Sequence, residues 1–175
     1  MSDPSSLIQN VRDRFPSAEV CGALSEFGRA EEMILVPLND LEALAVFLKE
    51  DMKLDFLNFV TAVDWIKNSR FELVYLFQSI EKPERKLFVK VRLARDGGDV
   101  VPSLTALWPS ADWQEREIFD LFGIRFGNHP NLKRILLWDE FEGHPLRKDY
   151  AHVPDGCDSG QEIGVPVSRA GNPHA

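Results

Sequence analysis

The chain has 175 residues, 44% of them hydrophobic, and a formal net charge of −8, enough for one packed core with an appendage. That acidity excludes a protein built to neutralise a nucleic-acid backbone. No apolar run approaches the roughly 20 residues of a bilayer span, and Cys21 and Cys157, distant and outside any Cys-x-x-Cys pair, supply neither a disulfide framework nor the four thiolates of an iron–sulfur cluster.

The residues from Met1 to Ser6 lack the basic-then-apolar order of a signal peptide, so the protein is expected in a reducing cytoplasm. Ser5 and Ser6 can cap a first helix carrying Leu7, Val11 and Phe15 at helical spacing, which Pro16 ends. Two strand-like runs follow, Glu19 to Phe27 and Glu32 to Val36, joined through Gly28. Asn39 and Glu42 form a capping-box pattern ahead of a helix with Leu41, Leu44, Ala45 and Leu48 on one side. Phe59 to Ile66, Phe71 to Ser79 and Lys86 to Leu93 are rich in strand formers and separated by turn-like tetrapeptides, which predicts an antiparallel meander. In the last run Leu87, Val89, Val91 and Leu93 alternate with Phe88, Lys90 and Arg92, placing one face on a core and leaving the other largely wet. Asp96-Gly97-Gly98-Asp99 ends the sheet. A helical segment is predicted after Pro102, broken at Pro109 and restarted with Ser110 as N-cap, ending at Gly123. The pattern predicts an α+β fold, a two-layer sandwich of a mixed, largely antiparallel sheet with helices on one face, in a domain over residues 1–124.

The helix over Trp113 to Gly123, at about 100° per residue, gathers Ile118, Phe119, Leu121 and Phe122 on one arc, with Glu115 projecting between them. Phe122 is expected in the core. Glu115 is expected to cap backbone N–H groups or pair with a downstream arginine, against the alternative of a proton-active carboxylate. Arg116 and Asp120 lie one turn apart on the opposite side and can pair. Glu117 and Asp120 read as a solvated or partner-binding face, on which neutralising Asp120 should barely change stability.

Residues 125–175 are punctuated by glycine and proline and exceed the roughly 12 to 15 residues of ordinary loops. They are nonetheless too apolar for a disordered tail: Leu132, Ile135, Leu136, Leu137, Trp138 and Phe141 would expose area at about 25 cal/mol per Å². Arg125, Lys133, Arg134, Arg147 and Lys148 are interleaved with them, as in interface hot spots. An extended C-terminal arm that binds a partner is the reading these residues support. A metal-dependent enzyme using His129, His144, His152 and Cys157 is the sharpest alternative, but only His152 and Cys157 are close in sequence, and His129-Pro130 and His144-Pro145 fit turns better. There is no phosphate-binding glycine loop.

Glu115-Arg116-Glu117, Asp120-Leu121-Phe122-Gly123-Ile124, Phe126, His129-Pro130, Leu132, Arg134-Ile135-Leu136 and Gly143-His144-Pro145-Leu146-Arg147-Lys148-Asp149-Tyr150 together resemble the signature of the C subunit of bacterial respiratory complex I, the 30 kDa subunit family of NADH:quinone oxidoreductase. The specific part spans Trp113 to Tyr150, and the preceding order of elements is similar to the family domain. The resemblance implies a non-catalytic subunit of the peripheral arm of a proton-translocating complex, on the cytoplasmic side of the cell membrane and attached to it through partners. It implies packing on the D subunit, which carries the quinone site, no cofactor bound by this chain, and FMN, iron–sulfur clusters and quinone in partner subunits, with NADH as donor. Glu115, Arg116, Glu117, Asp120, His129, Lys133 and Arg134 match the signature. With His144, Arg147, Lys148 and Tyr150 they are expected to be interface or structural positions. Related subunits occur in membrane-bound hydrogenases and in quinone-reducing complexes with other donors, the alternative within the same resemblance.

Overall fold

Alternating apolar residues generate the sheet. The computed structural model describes residues 4–24 and 31–151, and places β1 (Glu19–Leu24), β2 (Glu31–Val36), β3 (Phe56–Trp65), β4 (Arg70–Gln78) and β5 (Lys86–Ala94) in one five-stranded sheet of order β1-β2-β5-β4-β3. The β3-β4-β5 meander and the β1-β2 pair are antiparallel, and β2 joins β5 in parallel. Register puts Leu87, Val89, Val91 and Leu93 opposite Phe77, Tyr75, Leu73 and Phe71, and all eight are buried. Against this face lie α1 (Pro4–Arg14), α2 (Leu41–Glu50) and α3 (Ala111–Phe122), whose Leu7, Val11, Leu44, Leu48, Ile118 and Phe122 belong to the same core. The α+β two-layer sandwich is therefore present.

Local expectations fared unevenly. The first helix begins at Pro4, a favoured first position, so Ser5 and Ser6 lie inside it. Gly28 and the end of the first strand run fall outside the described residues. The capping box does not form: residues Leu38–Asp40 make a 3₁₀ turn, and the Asp40 carboxylate accepts from the Ser17 hydroxyl instead. No helix forms between Pro102 and Pro109, although the expected restart after Ser110 is present as α3. Val100–Pro102 forms a short strand, β6, and Leu104 accepts from the N–H groups of Leu107 and Trp108 in a single turn, where the Lys49 ammonium also binds the Leu107 carbonyl. Ser110 precedes α3 but its hydroxyl donates to Leu57 O at 3.2 Å on β3 rather than capping the helix.

The second face of the sheet is less wet than alternation suggests. Met33, Val74, Leu76 and Phe88 form a small buried cluster there, and Glu72 is buried beside them. At the other end of the domain, β7 (Arg125–Gly127) pairs in parallel with β6 and puts Phe126 into the core, so packing crosses the boundary drawn after residue 124.

Gly123 ends α3 in the left-handed region, φ 74°, with its N–H on Phe119 O at 2.9 Å, as a C-terminal glycine does. The residue before it, Phe122, meets Phe71 edge to face, ring centroids 6.3 Å apart. Phe122→Ala removes this contact from the centre of the sandwich and is expected to cost about 3 to 5 kcal/mol, measurable as a lower midpoint of urea unfolding with an unchanged slope.

Candidate partner interface

Helix α3 carries polar side chains on both sides, and the chain that follows it decides their fate. Beyond β7, residues 128–151 contain neither helix nor strand, yet they return over the side of α3 opposite the core. Asp120 organises the return. Its carboxylate, with no exposed surface, accepts the N–H groups of Ile135, Leu136 and Leu137 at 3.0, 2.8 and 3.0 Å and Arg134 Nη1 at 2.7 Å. Burial would raise this carboxyl, but the backbone donors of Leu137 and Leu136, the guanidinium and the Ile135 N–H outweigh it and hold the pKa below the ordinary aspartate value.

The expected solvated or partner-binding face thus holds at Glu117, which is exposed, and fails at Asp120, which is buried under the chain's own arm, as is Arg116. The expected Arg116–Asp120 pair is replaced by contacts to the arm. Arg116 donates to the carbonyls of Lys133 and Arg134 at 3.1 and 3.3 Å and lies over the Trp113 ring at 5.0 Å. Arg134 continues from Asp120 to Phe141 O and Gly143 O, both 3.1 Å, closing the loop between them. Periodicity alone could not show this, because a helix face reads as wet until the segment that covers it is known.

A second attachment follows. His144 Nδ1 donates to Asp120 O at 2.8 Å, and the ring sits against Gly123, where an added Cβ would lie 2.5 Å from Nε2. Gly123 is therefore required twice, for its positive φ and for the space the imidazole occupies. Burial lowers the His144 pKa, with Arg147 and Arg134 adding to the effect against the Asp120 carbonyl, so the ring is neutral at pH 7. Arg147 donates to Phe122 O at 2.6 Å and stands 5.1 Å over the Phe71 ring. The Lys148 N–H reaches Asp64 Oδ2 at 2.8 Å. Arg95 pairs with Asp64 at 2.8 and 2.9 Å and also with Asp149 at 2.9 Å, tying the end of the arm to β3. Tyr150 stacks near Phe141 and packs on Gly143, φ 86°. Asp64, Arg95 and Asp149 were not singled out from sequence. Their only signal there is Asp149 within the quoted Gly143–Tyr150 motif.

Glu115 settles as a capping residue. It has no exposed surface and accepts the Leu104 N–H at 2.7 Å and the Ser103 hydroxyl at 2.6 Å, which explains why the chain before α3 turns rather than continues as helix. Burial pushes its pKa up to about 7 against these two donors, with Asp112 reinforcing the rise. His129 lies 3.9 Å away, its side chain fully buried. The Asn131 N–H donates to His129 Nδ1 at 3.0 Å, which leaves Nε2 to carry the proton and donate to Asp112 O at 3.2 Å. Both histidines are thus engaged with backbone as turn-fixing groups. Among the described residues no group of three His, Cys, Asp or Glu side chains could hold a metal, and His152 and Cys157 lie outside them.

Of the eleven positions expected to matter, the structure uses most to fix the arm and leaves a minority facing outward. Lys133 and Lys148 contribute backbone atoms to the attachment and are exposed, as is Glu117. Beside them Leu136, Trp138 and Leu146 are 60%, 53% and 50% exposed. These apolar groups, two lysines and a glutamate are each turned outward from the frame that the arm and α3 build.

Residues 34–155 match the model of the respiratory-chain NADH dehydrogenase 30 kDa subunit family. The chain is 44% identical over 151 residues to the C subunit of the NADH-quinone oxidoreductase of Moorella thermoacetica, covering 86% of this chain and 97% of that protein, and 40% identical over 152 residues to the corresponding C subunit of Trichlorobacter lovleyi, covering 86% and 91%. Among solved structures it superposes on a trypsin-resistant fragment (1–134) of Nqo5 with a TM-score of 0.60 at 25% identity, covering 73% of this chain and 98% of that one. A chain of the membrane-bound sulfane sulfur reductase, an archaeal respiratory membrane complex, shares the fold with a TM-score of 0.72 at 23% identity, covering 96% and 95%.

Asp120→Ala is expected to leave Arg134 and three N–H groups without their acceptor and to lower stability by about 3 to 5 kcal/mol, with rapid amide exchange at residues 135–137 as the specific sign. Glu115 carries the opposite pH signature. Because its folded pKa lies above the unfolded value of about 4.3, the folded state binds the extra proton between those limits, and its contribution falls as pH rises from about 4 to about 7. Glu115→Gln keeps an acceptor for Leu104 and offers Ser103 a donor, so its melting temperature relative to the wild type is expected to rise between pH 5 and pH 8. An unchanged difference would remove the proton from the account.

Proposed function

Because the chain belongs to the respiratory-chain NADH dehydrogenase 30 kDa subunit family, we propose that it is a non-catalytic structural subunit of a proton-translocating NADH:quinone oxidoreductase, packing through its arm on the D subunit that carries the quinone site. The observation that carries this is the division of labour in residues 128–151: Asp120, Arg116, Arg134, His144 and Arg147 are consumed internally, while Leu136, Trp138 and Leu146 are held outward on the frame they build. A fixed arm has part of its ordering entropy already spent before it meets a partner. Exposed Trp and Leu beside lysines provide the apolar anchors and charged rim of a protein interface.

In this reading the chain binds no cofactor, and FMN, iron–sulfur clusters and quinone belong to partner subunits. It resides on the cytoplasmic side of the cell membrane and is attached through the complex; among the described residues no helix is long and apolar enough to cross a bilayer. Its part in catalysis is to hold the quinone-site subunit in place while electrons pass elsewhere.

The triple substitution Leu136→Ser, Trp138→Ala, Leu146→Ser tests this in the host. The isolated variant is expected to melt within a few degrees of the wild type, since these side chains are half exposed or more, while co-purification with the quinone-site subunit and the NADH:quinone activity of membranes fall together. Undiminished assembly would sink the arm as the contact. A membrane activity that depends on the chain but requires a donor other than NADH would instead place it in a related complex.

A further inference from the structure

The sheet face opposite the helices is organised in rows that the strand register specifies. Cys21, Met33, Phe88, Leu76 and Phe59 are successive partners across all five strands, an apolar row in which Met33, Leu76 and Phe88 are buried and Cys21 and Phe59 half-buried. The next row runs Glu19, Leu35, Lys90, Val74, Thr61, the third Arg92, Glu72, Val63, and the last Arg70, Trp65. No described helix packs on this face: its buried cluster contains strand residues alone. Trp65 is 44% exposed, and Thr61 is exposed as well.

The charges on this face do not balance. Glu72 receives Lys90 Nζ at 2.9 Å, and the same carboxylate is the nearest anion for Arg92 Nε at 3.6 Å and Arg70 Nη2 at 3.9 Å, too long for hydrogen bonds. Three cations crowd this one carboxylate, while Glu19, the other acid of these rows, stands on the edge strand two strands away from Lys90, which leaves a local excess of positive charge around Arg70 and Arg92. Arg70 Nε is buried and has no hydrogen-bond partner among the described residues, a donor that normally finds an acceptor. Adjacent rows are about 7 Å apart, two residues along a strand, so the unmatched guanidinium groups sit roughly 14 to 20 Å from the apolar row.

We infer that this face is a second docking surface, taken by a segment of a neighbouring subunit that lays apolar side chains on the Cys21–Phe59 row and directs carboxylates to Arg92 and Arg70. Charge complementarity selects an acidic occupant, since a basic segment would meet Lys90, Arg92 and Arg70 unscreened. An antiparallel-rich sheet presents one wet face when alone, but a face with a continuous apolar row and an unsatisfied donor fits a third layer supplied in trans. This surface lies on the face of the sheet opposite the helices and involves none of the arm's residues. It rests on the chain's place in a multisubunit complex.

The test uses the assembled complex purified from the host. A photoreactive benzoyl-phenylalanine at Thr61, in the middle of the face, is expected to cross-link to another subunit, and mass spectrometry should locate the link within a few residues of Asp or Glu among apolar residues. In parallel, Arg70→Gln with Arg92→Gln, which leaves Lys90 to hold Glu72, is expected to reduce incorporation into the complex about tenfold at physiological salt while the isolated chain keeps its melting temperature. Cross-linking to a second copy of this chain, to residues 152–175 of the same chain or to lipid, or no cross-link in an assembled complex, overturns the inference. So does full incorporation of the double variant. Because the arm variant is scored by loss of the quinone-site subunit, failure here with an intact arm effect leaves the proposed function standing and removes only this surface.

Discussion

A single carboxylate decides the path of residues 128–151, the last stretch of the described chain. Asp120 sits in the last turn of α3 and gathers three consecutive backbone N–H groups and a guanidinium from residues 134–137. Consecutive N–H groups aimed at one anion make a concave donor site of the kind that binds free anions elsewhere; here the anion is part of the protein. The arrangement explains why a segment without helix or strand follows a defined path. Its backbone donors are satisfied by a side chain in place of a ladder. Asp120 O simultaneously accepts from His144, so one residue anchors the arm both at Arg134 and at His144.

The fold was largely legible because burial writes a period into the sequence. Leu41, Leu44, Ala45 and Leu48, or Leu87, Val89, Val91 and Leu93, announce helix and strand without knowledge of their neighbours. Caps were less legible. Asn39 and Ser110 have the right chemistry at the right offsets, but Ser110 is taken by Leu57 O across the structure and the chain before α2 tightens into a 3₁₀ turn. The parallel β2-β5 contact has no local signal, since it joins segments separated by α2 and the meander's first two strands.

The candidate site was legible in a different way. That Leu136, Trp138 and the interleaved basic residues need cover follows from composition alone, and the family signature marks the positions. What composition could not separate is cover supplied by the chain itself from cover supplied by a partner. Arg134 and Arg147 looked like interface cations and are internal ties, whereas Lys133 and Lys148 contribute backbone atoms and are exposed. Arginine's planar fork suits carbonyl and carboxylate acceptors held at fixed angles, while lysine, strongly hydrated, is more easily left in water. The same distinction places Arg95 between Asp64 and Asp149.

The parallel pairing of β2 with β5 also orders events during synthesis. The β3-β4-β5 hairpins connect neighbouring segments and can close as soon as they are made, whereas β2, finished at Val36, acquires its second neighbour only when Lys86–Ala94 has left the ribosome. At roughly 5 to 20 residues per second that wait lasts seconds, far longer than the microseconds in which a hairpin forms. Through that interval β2 presents an unpaired strand edge bearing Met33, Ile34 and Val36, a stretch open to wrong pairing before the native sheet is complete.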